Sequence, residues 1–244
     1  MSSFTAGIIV IGDEILSGRT QDSNSNFIAK ILLKEGIKLE EVVVIKDDKK
    51  TIVDRVINYS EKYSYVFTTG GIGPTHDDIT AEAISNCFHT PLLLRDDAVD
   101  LLAKNYKNGK KDLNAARLRM ARIPKGAKLI KNKISGAPGF IIKNVFVMAG
   151  VPQVFEVMVQ EIISDIKSAA PILSKTIRVF KKESEISEKL WNYADKYKNV
   201  SIGSYPFNTS GVFGVEIVLR HTDQILLNKV FNEILIDFNE PNTS

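Results

Sequence analysis

The 244-residue sequence contains one cysteine and no apolar run long enough to cross a bilayer. Cys87 cannot form a disulfide within the chain, which favours a reducing compartment. The N-terminus lacks the basic and apolar regions of a secretion signal. We therefore expect a cytoplasmic protein that does not associate with membranes.

The net charge is also small. The chain carries 32 basic and 29 acidic residues, which gives a formal net charge of +3. The lysines are scattered among acids, and the basic run at residues 107–111 is typical of a surface turn. A protein that binds nucleic acid usually concentrates its positive charge on one face. Nucleic acid is therefore not a predicted partner.

Several common site motifs are absent from the sequence. It has no phosphate-loop pattern ending in Gly-Lys-Ser/Thr and no Gly-x-Gly-x-x-Gly fingerprint, so the commonest nucleotide-binding loops are excluded. Neither a histidine and cysteine spacing for structural zinc nor a serine-nucleophile motif is present. Any phosphate chemistry must therefore use a different set of residues.

The most informative segment is residues 68–80, where a glycine-rich turn follows an apolar strand and leads to two adjacent aspartates. Three glycines in four positions allow a sharp turn and expose N–H groups to an anion. Asp77 and Asp78 either cap the helix expected from Asp78 onward or point towards a bound ligand. His76 could contact a ligand or only face solvent. The loop residues expected to bind a ligand are Gly70, Gly71, Gly73, Pro74, Thr75 and His76.

The order of apolar patterns predicts an α/β fold for the first two-thirds of the chain. Short apolar runs alternate with helical patterns, as in a mostly parallel sheet covered by helices on both faces. A mainly helical lid or interface is expected at residues 96–122. The predicted strands are 7–11, 42–45, 65–69, 139–142 and 145–148, and the predicted helices are 26–35, 52–57, the segment from 78, and 153–167.

A second domain is predicted after Pro171. Strands at residues 176–180, 200–204 and 212–219 and helices at 185–198 and 223–238 give the order β-α-β-β-α. This order is typical of a small α+β domain with an antiparallel sheet. The predicted domains are residues 1–168 and 171–244.

Acidic residues follow the predicted strands at one edge of the sheet, where open parallel sheets bind their ligands. The first strand leads to one acidic pair and the third strand to another. If these loops converge, the four carboxylates could hold Mg²⁺, Mn²⁺ or Co²⁺ against phosphate oxygens. They are Asp13, Glu14, Asp77 and Asp78. For Asp47 and Asp48, after the second strand, we expect turn and capping roles.

This arrangement favours chemistry at phosphorus. A metal-activated water could attack a phosphate, or the same electrostatic stabilisation could support adenylyl transfer.

The combination of motifs resembles the molybdopterin-binding domain of the competence/damage-inducible protein A (CinA) family over residues 5–168. It is also similar to the N-terminal molybdopterin-binding-like domain of eukaryotic FAD synthases, and residues 202–206 resemble part of the small domain of CinA proteins. The motifs are Gly12-Asp13-Glu14-Ile15-Leu16, Asp22-Ser23-Asn24, residues 70–80, Ala137-Pro138-Gly139-Phe140 and Gly150-Val151-Pro152.

The resemblance implies a three-layer α/β/α domain of the MoaB/Mog type, shared with molybdopterin adenylyltransferases. In CinA-type members it implies a metal-dependent pyrophosphatase acting on ADP-ribose, FAD or a related adenosine dinucleotide, and a homo-oligomer. By position, the two acidic pairs match the family's acidic site and the glycine turn matches its phosphate loop. Asn24 and Asn114 fall in matching segments and are further candidate ligand contacts.

Two other functions stay open. The chain could bind molybdopterin, with or without adenylating it, in molybdenum cofactor synthesis. It could also be a nucleotide-binding module without catalysis. The sequence departs from the family pattern at Ala149, where proline is more usual, and at Ser135-Gly136, in place of Gly-Thr.

Overall fold

The computed structural model describes residues 4–167, 170–209 and 211–239. The chain divides into two compact units, with the boundary between residues 169 and 170.

The first unit alternates strands and helices from β1 to α7. Its strands are β1 (Thr5–Ile11), β2 (Lys38–Ile45), β3 (Tyr65–Thr69), β4 (Leu92–Leu94), β5 (Arg122–Pro124), β6 (Lys128–Ile130), β7 (Gly139–Ile142) and β8 (Val145–Met148). Its helices are α1 (Asp13–Leu16), α2 (Asn24–Lys34), α3 (Lys49–Lys62), α4 (Thr80–Cys87), α5 (Asp96–Ala103), α6 (Ala115–Arg119) and α7 (Pro152–Ile162), with 3-10 turns at Gly109–Asp112 and Ile163–Asp165.

Six strands form the central sheet in the order β2-β1-β3-β8-β7-β6. The first four strands are parallel, whereas β7 and β6 run antiparallel to their neighbours. Residues of β1 alternate between two apolar layers, because successive side chains of a strand point to opposite faces. Ile8 packs with α2 and α7, while Ile9 packs with α3 and α4. The predicted three-layer α/β/α fold is confirmed.

All five predicted strands of this unit are present, and β3, β7 and β8 have the predicted bounds. The predicted two-residue hairpin between β7 and β8 is also confirmed, with Lys143 at φ 52°. Helix ends were predicted less well: α2 begins at Asn24 rather than Asn26, α3 extends from Lys49 to Lys62, α4 begins at Thr80 rather than Asp78, and α7 ends at Ile162, before a 3-10 turn. Because a helix end depends on local hydrogen bonds, apolar spacing alone places it poorly.

Residues 96–122 are less helical than predicted. Helices α5 and α6 lie in this segment, but β5 begins at its end and pairs with β4 in a separate two-stranded antiparallel sheet. Strand β6 was also missed. Each of these strands has three residues, too few for an alternating pattern to be visible in the sequence.

The second unit has the predicted β-α-β-β-α order. Its elements are β9 (Leu173–Val179), α8 (Glu183–Lys196), β10 (Ser201–Thr209), β11 (Val212–His221) and α9 (Gln224–Asn239). The strands form an antiparallel sheet in the order β10-β11-β9, and buried residues of β9 and β11, such as Ile177 and Ile217, pack with Leu227 and Val230 of α9. Within the described ranges of both units, no helix combines the length and the apolarity that crossing a membrane requires.

An ion pair on the edge strand β2 makes the first unit sensitive to acid. Glu41 accepts hydrogen bonds from Tyr63 Oη at 2.6 Å and Lys62 Nζ at 2.9 Å. These bonds lower the pKa of Glu41 to about 2, and the bond from Tyr63 has the larger effect. The folded state therefore binds this proton less readily than the unfolded chain, so the stabilisation is present above the unfolded pKa and is lost as pH falls towards 2.

Glu41→Gln should therefore lower the melting temperature at pH 7, and its difference from wild type should shrink as pH falls from 5 to 2. Thermal unfolding followed by circular dichroism across this range checks the prediction. Glu40→Gln is the matched control, because Glu40 forms a surface ion pair with Lys38 on the same strand. A constant difference between wild type and Glu41→Gln at all pH values would contradict the assignment.

Candidate functional site

The loops after β1, β2 and β3 converge at the carboxyl edge of the sheet, as the sequence predicts. The N–H of Gly12 donates to the carbonyl of Ile45 at 3.1 Å, and the N–H of Asp13 donates to Asp47 Oδ2 at 2.9 Å. The loop after β3 lies against the end of β1, since a Cβ added to Gly70 would be 2.0 Å from the carbonyl oxygen of Ile11. Two of the three predicted acidic loops are thus joined by direct hydrogen bonds.

The glycine loop (residues 70–75) requires glycine at its first two positions. Gly70 and Gly71 have φ values of +110° and +69°, which residues other than glycine rarely adopt. A Cβ on Gly71 would also meet Thr80 Oγ1 at 2.1 Å. Thr80 closes the loop by donating from its hydroxyl to the carbonyl of Gly70 and from its N–H to the carbonyl of Gly71, both at 3.0 Å. The start of α4 therefore fixes the turn.

Asp78 organises the glycine loop from within. Its carboxylate accepts from the N–H of Gly73 at 2.7 Å, from the N–H of Thr75 at 2.8 Å and from the hydroxyl of Thr75. Helix α4 has Ile79 at its N-cap position and no side-chain cap, so Asp78 does not cap it. The Asp78 side chain is bonded to Gly73 and Thr75 of the loop rather than to the start of α4, so residue 78 belongs to the loop and the helix begins at Thr80.

Asp77 and His76 lie on the outer side of the loop. The side chain of His76 is 99% exposed, and its Nδ1 is 4.0 Å from Asp77 Oδ1. The neighbouring Thr75 hydroxyl lowers the pKa of the Asp77 carboxyl, so this group is ionised at neutral pH. Asp77 therefore presents a negative charge to solvent beside the glycine loop.

Asp47 belongs with the predicted acids, although the sequence assigned it to a turn. Burial is the main cause that raises its pKa, and the charges of Asp13, Glu14 and Asp77 raise it further, against the hydrogen bond from the Asp13 N–H. The four carboxylates therefore share one electrostatic environment. The sequence did carry a signal for including Asp47 in the site, because Asp47 follows β2 and so lies at the same edge of the sheet as the other acids.

Asp48 has the structural role that was predicted for it. Its carboxylate accepts from the N–H of Thr51 at 2.9 Å and from the Thr51 hydroxyl at 2.6 Å, and it caps α3. The two adjacent aspartates thus have different roles. Asp48 caps a helix, whereas Asp47 lies with Asp13, Glu14 and Asp77 at the carboxyl edge of the sheet, which we call the acidic edge.

A cavity of about 490 Å³ opens beside the glycine loop. Gly70 to Pro74 form one wall, and the segment that follows β8 and the turn between β6 and β7 form the others. Ile72, Met120, Val151 and Val154 make part of the lining apolar, whereas polar groups come from Glu14, Thr20, Asp78, Asn132 and Ser135. The lining suits a ligand that carries both an apolar ring and polar or anionic groups.

Asn24 and Asn114 have structural partners. Asn24 is buried, and its Nδ2 donates to Thr69 Oγ1 and to the carbonyl of Gly150, both at 2.8 Å. This bridge joins the start of α2 to the end of β3 and to the cavity wall. Asn114 caps α6 by accepting from the N–H of Arg117 at 2.9 Å. Asn114 is not among the described residues that line the cavity, whereas Met120, just beyond α6, is.

Asn132 is a cavity residue that the sequence analysis missed. It is buried, donates to Ser135 Oγ at 2.6 Å and to the carbonyl of Ala137 at 3.1 Å, and accepts from the N–H of Ile134 at 2.9 Å. These bonds set the turn that forms one cavity wall. Asparagine before a Ser-Gly turn is a recognisable signal for such a local network.

The acidic edge offers oxygen ligands without forming a closed metal cage. In the parts of the chain that are described, no three His, Cys, Asp or Glu side chains converge closely enough to hold a metal ion. Mg²⁺ is usually bound by one or two carboxylates together with substrate phosphates, rather than by a cage of protein ligands. The donor chemistry therefore fits a metal that arrives with a phosphate ligand.

Comparison with known families decides the relationship of the first unit. Residues 7–171 match the family described as probable molybdopterin binding domain. The chain belongs to this family. Residues 171–241 match the FAD synthase middle domain. The glycine loop, the acidic edge and the cavity all lie within the molybdopterin-binding-family part.

Individual relatives agree with this assignment. A protein of Archaeoglobus fulgidus is 34% identical over 199 residues, which cover 82% of this chain and 84% of that protein. A probable FAD synthase of Caenorhabditis elegans is 34% identical over 240 residues, which cover 88% of this chain and 46% of that protein. The chain thus spans about half of that FAD synthase relative.

A solved structure also matches. CinA of Thermoplasma acidophilum, a protein described as of unknown function, superposes with a TM-score of 0.62 and 33% identity over 67% of this chain and 98% of that chain. The resemblance to CinA proteins and FAD synthases is therefore confirmed for this member of the molybdopterin-binding family.

Proposed function

We propose that the first unit is a divalent-metal-dependent pyrophosphatase that cleaves the diphosphate of ADP-ribose, FAD or a related adenosine dinucleotide. The supporting observation is a cavity of about 490 Å³ lined by the glycine loop and Glu14, beside the edge of the sheet where Asp13, Asp47 and Asp77 also lie. The N–H groups of Gly70, Gly73 and Thr75 are bonded within the protein, so the other loop N–H groups are the ones that suit phosphate oxygens. The apolar lining suits a nucleoside ring.

Each part of the site has a role in this proposal. Asp13, Glu14 and Asp77 are the exposed candidate ligands, of which one or two would hold the metal together with diphosphate oxygens. Asp78 keeps the glycine loop in its binding shape. A bound Mg²⁺, Mn²⁺ or Co²⁺ would neutralise phosphate charge and activate water. The cavity walls orient the nucleoside so that the diphosphate faces the acids.

The second candidate is molybdopterin binding, with or without adenylyl transfer. The family match over residues 7–171 favours it, because the same loop and cavity would accept a pterin phosphate. A nucleotide-binding module without turnover is the third possibility. These functions differ in the product formed and in the ligand bound, so product analysis together with binding measurements separates them.

The first test is product analysis by chromatography after incubation with ADP-ribose or FAD and Mg²⁺, Mn²⁺ or Co²⁺. We expect AMP release that stops when EDTA is added. Asp77→Asn combined with Asp78→Asn should lower the rate at least about a hundredfold, because the loop loses both its external charge and its internal anchor. Asp195→Asn is the control, since Asp195 is an exposed acid on α8 that pairs with Lys198.

Unchanged hydrolysis in the double variant would refute the proposed site. Pterin binding in calorimetry without AMP release would favour the second candidate. A nucleotide-dependent rise in melting temperature without turnover would favour the third, because a ligand that binds only the folded state must stabilise it.

The cytoplasmic location and the homo-oligomer also remain proposals. They rest on the single cysteine and on the oligomerisation of related domains, and light scattering of the purified chain tests the second.

A further inference from the structure

The cavity beside the glycine loop has no positively charged wall. Its lining includes the acids Glu14 and Asp78, and among the described residues it includes no lysine, arginine or histidine. A diphosphate in this cavity would therefore face negative side chains. Burying an anion requires compensating charge or hydrogen bonds, so positive charge must reach the ligand from outside this lining or from a metal.

Arg119 lies next to the glycine loop and has a hydrogen-bond donor without a partner among the described residues. It is the last residue of α6 and is half-buried. Its Nη2 is 3.5 Å from the carbonyl oxygen of Asp78, and its Nε is buried without a hydrogen-bond partner in the described part of the chain. A buried guanidinium donor without an acceptor is costly and rare in native proteins. An acceptor from a ligand or a water would remove this cost.

The space beside Arg119 adjoins the cavity. Arg119 lines a small cavity of about 20 Å³, which shares Ile72, Gly73, Asp78 and Met120 with the larger one. A volume of this size accommodates one water-sized group. One phosphate oxygen, or one bridging water, would therefore fit beside the Arg119 side chain, next to a ligand held by the glycine loop.

The charge of Arg119 is also available. Glu82 of α4 lines the same small cavity, but its carboxylate pairs with Lys49 Nζ at 2.7 Å, and this bond is the main cause that lowers the pKa of Glu82. Within the described ranges, no carboxylate lies in ion-pair distance of Arg119. Arg122 of β5 lines the same small cavity and provides a comparison of equal charge.

We propose that Arg119 is a further ligand-binding residue of this site, whose Nε–H and positive charge bind an oxygen of a nucleoside diphosphate group directly or through one water. The identity of the ligand rests on the proposed function. The assignment of Arg119 goes beyond it, because it adds a cation of the protein itself beside the glycine loop.

The experiment measures ADP binding by calorimetry in EDTA, where no metal supplies positive charge. Arg119→Met should weaken binding on the order of tenfold to a hundredfold, the range expected for a lost hydrogen bond to a charged group. Arg119→Lys keeps the charge without the Nε donor and should fall between wild type and Arg119→Met. Arg122→Met should stay within about threefold of wild type, because binding requires the donor beside the loop rather than local charge alone.

Melting temperature without ligand separates binding from a purely structural role. Removing an unsatisfied buried donor should leave it unchanged or raise it, whereas loss of a structural contact would lower it. Equal ADP affinity of wild type and Arg119→Met overturns the proposal, and so does wild type that fails to bind ADP. If Arg119→Met does not fold, wild-type affinity in Arg119→Lys overturns it.

These outcomes are distinct from those of the hydrolysis assay. If ADP binding depends on Arg119 while no AMP is released from ADP-ribose or FAD, the pyrophosphatase proposal fails and the assignment of Arg119 stands. If AMP is released at equal rates and equal KM by wild type and Arg119→Met, the pyrophosphatase proposal stands and the assignment of Arg119 is overturned.

Discussion

Gly70→Ala should destabilise the first unit by at least about 3 kcal/mol, because backbone strain and a direct clash act together. Residue 70 has φ +110°, and the added Cβ would lie 2.0 Å from the carbonyl oxygen of Ile11. That carbonyl belongs to β1, which is paired on both sides, so it cannot move away without disturbing the sheet. We expect loss of nucleotide binding together with the loss of stability.

Gly18→Ala is the matched control. Gly18 has φ +73°, but no atom lies within 4 Å of the position that its Cβ would occupy. This substitution should cost only the left-handed strain, about 1 kcal/mol. Urea unfolding of both variants, followed by circular dichroism, measures the difference. Equal costs would show that the glycine loop does not pack against β1 as described.

If the first unit is the proposed pyrophosphatase, Asp78→Ala should lower hydrolysis of ADP-ribose at least about a hundredfold, since the loop proposed to hold the diphosphate loses its internal anchor. The carboxylate of Asp78 accepts from two N–H groups and one hydroxyl of Gly73 and Thr75. Leaving these donors without an acceptor should also cost about 2 kcal/mol of stability. The effect on activity should therefore appear together with a lower melting temperature.

Asp77→Ala separates charge from loop structure. Asp77 is adjacent in sequence, but its side chain is 65% exposed. We expect a melting temperature close to that of wild type and a higher metal concentration for half-maximal activity. If Asp77→Ala destabilised the protein as much as Asp78→Ala, the different roles given to these neighbours would be wrong.

The central sheet was predictable because its signal is local. Strands β1 and β3 are continuous apolar runs that the parallel sheet buries on both faces, and their lengths suffice to distinguish them from loops. Strands β4, β5 and β6 have three residues each, and their pairing depends on partners up to about 30 residues away in sequence. Their short patterns carry no comparable signal.

The candidate site was predictable in its parts but not in its connections. The glycine loop and both acidic pairs stand out as motifs, and the edge of a parallel sheet brings such loops together. The direction of each side chain depends on neighbours that are distant in sequence. Asp78 turns inward to the loop, Asp47 contacts Asp13 rather than capping a turn, and Arg119 reaches the loop from α6.

The inward turn of Asp78 leaves the glycine loop with fewer N–H groups for a ligand. Two of the loop's N–H groups are already bound to a tethered carboxylate, whose effective concentration is set by a separation of only three to five residues. While that carboxylate stays in place, a ligand can use only the remaining N–H groups of the loop. A small anion such as chloride would therefore gain few contacts, whereas a diphosphate would gain several at once by also reaching the cavity walls.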